Sequence, residues 1–267
     1  MKTSVFKFML TCIFVFFLFG SVFAQDEPGR KHRLEMSFSY EYLTPHDVYG
    51  TWKNFSIGLH NKPKPDLTYF VQLGVFSRKE GDGMLGNVGA YKDWGSRLYT
   101  YSALSIGTNS EYLPRIRIDN DFNIKIGAMK NIVWTAGVSY IKYFDLHKDL
   151  ILSTGLTLYN GNWISGYRVS MNDSSPGNVI SYSHHVSIGY GKEGWQWTFL
   201  DLSYGKQAYL ATSVLIPEEV RQDAPYISIK HRRWIGKNFG VLIELNYLKL
   251  KDTYEKYGFS SGIFKEF

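Results

Sequence analysis

Residues 33–42 read RLEMSFSYEY. An extended chain turns successive side chains to opposite faces, so Leu34, Met36, Phe38, Tyr40 and Tyr42 share one side and Glu35, Ser37, Ser39 and Glu41 the other. Which side meets water decides the fold. If the polar side is solvated, the segment is a strand of a soluble sandwich; if the polar side is enclosed and the apolar side meets lipid, it is a strand of a membrane barrel.

The alternation recurs along the chain. FGVLIELNYL places Phe239, Val241, Ile243, Leu245 and Tyr247 on one face, NFSIGLH places Phe55, Ile57 and Leu59, and DFNIKIG places Phe122, Ile124 and Ile126. RLYTYSALSIG is mixed on both faces. Strands are expected near 33–43, 51–60, 66–77, 85–93, 97–107, 116–127, 132–143, 149–159, 163–171, 179–190, 195–205, 224–235, 239–249 and 256–267. The connections DWGS, AMKN, NGN and GKN are tight, whereas TPHDVYG, RKEGDGM, NDSSPGN and KQAYLATSVLIPEEVRQDAP are longer and polar. Tight turns at one end, longer loops at the other and an even strand number describe an outer-membrane barrel with both termini in the periplasm. Fourteen strands are expected, with twelve as the alternative should two weak ones merge or fall outside the membrane. A helical period is clearest near 217–222.

Three features favour lipid for the apolar face. It is rich in aromatics, with SYEYL, YIKYF, TLYNGNW and GYGKEGWQW placing Tyr and Trp toward strand ends, where interfacial girdles sit. The opposite face carries Gly, Ser, Asn and charge, which a dry sandwich core could not hold unpaired. Finally, Phe267 ends an alternating strand whose Tyr257, Phe259 and Ile263 share its face, a pattern similar to the signal that outer-membrane proteins present to their assembly machinery.

The start of the chain agrees with that destination. In MKTSVFKFMLTCIFVFFLFGSVFAQDE, Lys2 and Lys7 precede an apolar run from Phe8 to Phe19, which reads as a signal peptide cut between Ala24 and Gln25. Roughly a dozen residues fall short of the ~20 that a spanning helix needs. Cys12 lies inside that run, so the exported chain is expected to have no thiolate metal site. The formal charge of +6 falls by the two lysines of the leader, and no basic cluster interleaved with base-stacking aromatics points to nucleic acid. The expected architecture is all-β: a signal peptide at 1–24, a short periplasmic segment at 25–32, and an antiparallel up-and-down transmembrane β-barrel at 33–267.

In layout and length the chain from LEMSFSYEYL onward, with YLPRIRIDNDFNIKIG, LYNGNWISGYRVSMN, SYSHHVSIGYG and the final phenylalanine, resembles the YaiO family of outer-membrane β-barrel proteins. The resemblance implies an integral barrel in a Gram-negative outer membrane, surrounded by lipid and lipopolysaccharide. It supplies no catalytic residues. Longer relatives add helical repeats ahead of the barrel; here QDEPGRKH precedes it, so no separate periplasmic domain is expected.

Chemistry then rests on the enclosed face. Arg115, Arg117, Asp119, Asp121 and Lys125 share it with Asn123, and Glu35, Glu41, Arg168, Asp201, Lys230, Arg232 and Glu244 are expected to join them in the lumen. Two readings follow: a selective pore or glycan-binding lumen, or a salt-bridge network that fills the barrel and fixes its shape. Twelve to fourteen strands lie between barrels that fill with side chains and those that hold a channel. The rival class is a barrel enzyme. His185 and Ser187 have the H-x-S spacing of outer-membrane lipid A deacylases but fall on the enclosed face, with His184 outward. An omptin-like protease would need acids and a histidine at the rim, for which His46, Asp47, Glu218, Glu219 and Asp223 are the candidates. No cofactor or metal is expected.

Overall fold

The structure, a computed structural model, describes residues 31–108, 110, 112–205, 225–250 and 253–267. The leader with Ala24 and Gln25, most of the segment at 25–32, the helical period near 217–222 and the candidates Glu218, Glu219 and Asp223 lie outside the described residues.

Fourteen strands follow one another: β1 (Lys31–Thr44), β2 (Thr51–Lys64), β3 (Leu67–Arg78), β4 (Gly81–Asp93), β5 (Leu98–Gly107), β6 (Ile116–Ile126) and β7 (Ile132–Lys142). They continue with β8 (Lys148–Asn160), β9 (Trp163–Ser175), β10 (Val179–Lys192), β11 (Gln196–Gly205), β12 (Tyr226–Trp234), β13 (Phe239–Leu250) and β14 (Tyr254–Glu266). Each pairs with its sequence neighbours, and β14 returns antiparallel to β1 from Arg33↔Glu266 to Thr44↔Glu255, closing the barrel. Closure leaves no open edge, so every span satisfies its backbone within the sheet. Of the two expected strand counts, fourteen is the one found.

The outward face is apolar through the middle of the barrel. Leu245 is 56% exposed, Phe122 53% and Ile118 48%, while their inward strand neighbours Asp119 and Asn123 are buried. Met36 also points outward but is buried between its register partners Ile57 and Ile263. Outward charges lie near strand ends, such as Lys53, Lys142 and Lys249 at one end and Lys92, Arg233 and Lys265 at the other. About five outward positions per strand lie between those limits, a band roughly 25 Å tall.

The two ends differ. At the end where β1 begins and β14 finishes, the terminal end, turns of two to five residues join the strands. Among the described residues, the opposite, loop end carries the longer connections and a short helix, α1 (His46–Tyr49). Two expected loops are shorter than the sequence suggested. RKEGDGM is a turn at residues 79–80 with β3 and β4 extending into it, and NDSSPGN belongs to β9 as far as Ser175. Above the lipid band the outward face need not be apolar, so polar residues continue the strands. β2 likewise runs past Pro63, where a register shift between Asn61 and Lys64 accommodates the missing N–H.

Small polar side chains hold the inner wall at mid-height. Ser37 and Ser56 hydroxyls lie 2.6 Å apart, Asn87 Nδ2 donates to Gln72 Oε1 at 3.0 Å, and Ser105 donates to Asn87 Oδ1 at 3.3 Å. Inward glycines let aromatic rings lie against the wall. A Cβ on Gly89 would fall 2.4 Å from the ring of Phe70, and one on Gly189 2.3 Å from that of Phe199, their register partners.

Candidate functional site

The inner wall divides into two halves. At the loop end, side chains fill the barrel. Phe76 and Leu85 pack with Leu113 from the β5–β6 connection, Leu248 packs with Tyr226 and Leu250, and Ile141 packs with Tyr143 and Ile151. Among them Lys256 donates to Glu41 Oε1 at 3.0 Å with no exposure of the lysine. Its ammonium lies 5.3 Å from the ring centre of Trp52, and Arg78 stacks on the same indole at 3.7 Å and on Tyr112 at 4.1 Å. Paired and capped by rings, two charges are thus enclosed within an apolar layer.

Toward the terminal end the barrel holds a cavity of about 730 Å³. One part of its wall is aromatic, with Phe70, Tyr91, Tyr99, Tyr101, Tyr159, Trp197 and Phe199. Phe70 and Tyr101 stack at 6.2 Å, and Trp197 and Phe199 at 5.5 Å. Sequence reading assigned the aromatics of TLYNGNW and GYGKEGWQW to the outer girdle. Trp163 is outward there, but Tyr159 and Trp197 line the cavity. The signal for them was parity: Tyr99 and Tyr101 alternate with Leu98 and Thr100, which is why that strand looked mixed.

The expected lumen charges fall into three groups. Glu35, Asp121, Arg168, Lys230, Arg232 and Glu244 line the cavity. Arg168 reaches from β9 to β6, bonding Asp121 at 2.6 and 3.0 Å and Ser153 at 2.6 and 3.0 Å. Lys230 sits 4.0 Å from Asp201 and 3.7 Å from Glu244, and Arg232 donates to Glu35 at 2.8 Å. A second group, Glu41, Arg117, Asp119 and Asp201, is buried in the wall or the filled half; Arg117 forks onto Asp119 at 2.8–3.0 Å, and Ser139 donates to the same acid at 2.5 Å. The third lies at the two ends of β6, and of its two members Arg115 departs from expectation. Arg115 precedes β6 and is exposed, because Leu113 and Pro114 turn inward just before it and end the alternation. Lys125 lies at the β6 terminus, half-buried, 5.4 Å from the ring centre of Tyr99.

Arg168→Met is expected to lower stability by about 1–3 kcal/mol, since it strands a partly buried carboxylate. Urea unfolding of the refolded barrel in micelles checks this. Asp121→Asn in the Arg168→Met background should recover part of the loss; no recovery would mean that the cost lies in packing rather than charge.

His185 and Ser187 point inward, and His184 outward, where its Nδ1 meets the Tyr167 hydroxyl at 2.8 Å. Asp201, the register partner of Ser187, is the acid beside them: His185 Nε2 lies 3.4 Å from Oδ1, and the Ser187 hydroxyl bonds the same carboxylate. A nucleophilic serine needs its proton directed at the imidazole. Here acid and hydroxyl pair directly. At the loop end His46 stacks on Tyr42 at 4.8 Å, and the carbonyl of Asp47 accepts from Lys79 at 2.6 Å.

Comparison with known proteins gives the architecture relatives. The fold is similar to a bacterial polysaccharide outer-membrane secretin (TM-score 0.55, 8% identity, 88% of this chain and 98% of that one). It is also similar to a deletion mutant of the TodX monoaromatic hydrocarbon channel (0.54, 9%, 90% and 91%). A third is the outer membrane protein Omp33 of Acinetobacter baumannii (0.53, 9%, 87% and 97%). At such identities the likeness is one of fold. A family model for the YaiO membrane β-barrel domain matches residues 31–210, more than half of the chain. With the closed fourteen-strand barrel and its apolar belt, that match places the chain in the YaiO membrane β-barrel family.

Proposed function

We propose that this barrel stands in an outer membrane with its terminal end in the periplasm and admits polar saccharides to its cavity from that side. The observation that carries this reading is the cavity wall, in which stacked aromatic rings face hydrogen-bonding and charged side chains across about 730 Å³. That is the size and chemistry of a small-molecule site, with apolar faces for bulk contact and a few polar groups for orientation. A sugar ring matches both, laying its C–H face on a ring and its hydroxyls on carboxylates, serines and guanidinium groups. The filled loop end makes this a gated or binding lumen rather than a free channel. Phe267, whose backbone pairs with that of His32 at 2.8 and 2.9 Å beside β1, serves as the assembly signal.

Planar-bilayer recording of the refolded protein tests the reading. Rare, small current steps are expected, blocked further by millimolar malto-oligosaccharide added on the terminal side only. Large steady steps indifferent to saccharide on either side would sink it in favour of an unselective pore.

A further inference from the structure

The cations of the cavity are unequally engaged. Arg168 is held by four hydrogen bonds, and Lys230 stands between two carboxylates. Arg33 and Arg232, from β1 and β12, converge instead on the single carboxylate of Glu35, Arg232 at 2.8 Å and Arg33 only at 3.8 Å. The Nε of each is buried and without a hydrogen-bond partner. The other acid near Arg33, Glu193, is 3.9 Å away and half exposed, where solvent screens it. Arg33 therefore carries an uncommitted planar fork, the geometry that suits a carboxylate or phosphate. Arg232 lies beside the ring of Phe264, 5.3 Å from its centre, and its register partner across β11 and β12 is Trp197. A flat ring thus adjoins a pair of guanidinium groups that share one counter-charge.

Given the saccharide lumen proposed for this barrel, we infer that Arg33 and Arg232 form a subsite for the acidic group of a sugar, a hexuronate-type carboxylate whose ring rests on Trp197. The pair reads charge, and the indole reads the ring. Each fork then binds an oxygen of the incoming acid while Arg232 keeps Glu35, so the ligand completes a network rather than breaking one.

Quenching of tryptophan fluorescence in detergent-solubilised barrel distinguishes the parts of this inference. The probes are a galacturonate hexamer, a glucose hexamer of equal length, and inorganic phosphate as competitor. The acidic hexamer should bind at least about ten-fold more tightly than the neutral one, with the preference shrinking as salt rises. Arg33→Gln, which leaves the Arg232–Glu35 pair in place, should abolish the preference by weakening the acidic hexamer far more than the neutral one; Arg33→Lys should restore part of it. Equal binding of both hexamers would overturn the acid subsite while leaving the saccharide lumen standing. Binding of neither hexamer would overturn both. Displacement of the acidic hexamer by phosphate at matched concentration would overturn recognition of the sugar, leaving a general oxyanion site.

Discussion

Lys256→Ala is expected to destabilise the barrel by about 3–5 kcal/mol, because it leaves Glu41 enclosed without its partner. No described cation replaces it at hydrogen-bonding distance: Arg78 is engaged by Trp52 and Tyr112. The double change Lys256→Met, Glu41→Leu removes both charges and keeps the volume, and should recover most of the loss or exceed the parent. Unfolding midpoints in urea, read from the shift in electrophoretic mobility between folded and heated barrel, compare the three proteins. The same experiment has a functional arm. The single variant should conduct in larger and steadier steps than the rare, small ones of the parent, and the double variant should return to the parent's pattern. A single variant as stable as the parent would mean that the pair is not enclosed.

Leu245→Arg should cost about 2–4 kcal/mol in lipid vesicles, since it places a charge at mid-height on the outward face. Phe239→Arg, on the same face of β13 but at its terminal end, should cost no more than about 1 kcal/mol. Both residues are substantially exposed, at 56% and 38%, so neither change opens a core cavity. Equal costs at the two positions would contradict the height assigned to the lipid band.

What was legible in the sequence follows from these two cases. Outward positions such as Leu245 obey one rule along every strand, because lipid imposes the same demand everywhere, and strand number and face parity were therefore readable. The lumen obeys no such rule. Glu41 and Lys256 stand 215 residues apart, and Asp121 and Arg168 stand 47 apart, so their meeting depends on closure and register rather than local pattern. Nothing in their identities distinguishes an enclosed pair from one that faces water. The aromatic cavity wall was missed because a tyrosine near a strand end suits an interfacial girdle as well as a lumen. Only parity within β5, β8 and β11 separates the two, and β5 looked ambiguous for that reason. The charge at Arg115 was misplaced because an inward turn before β6 broke the count.

The flat rings over Gly89 and Gly189 have a mechanical consequence. A side chain at either position would push its aromatic partner upright into the lumen, and an upright phenyl ring reaches several ångströms farther toward the axis than one lying down. The bore of this barrel is therefore set partly by what two residues lack. Drift at either glycine would throttle the vestibule without removing a charge, and because Phe70 and Phe199 belong to the aromatic wall, it would change the stacking surface together with the width.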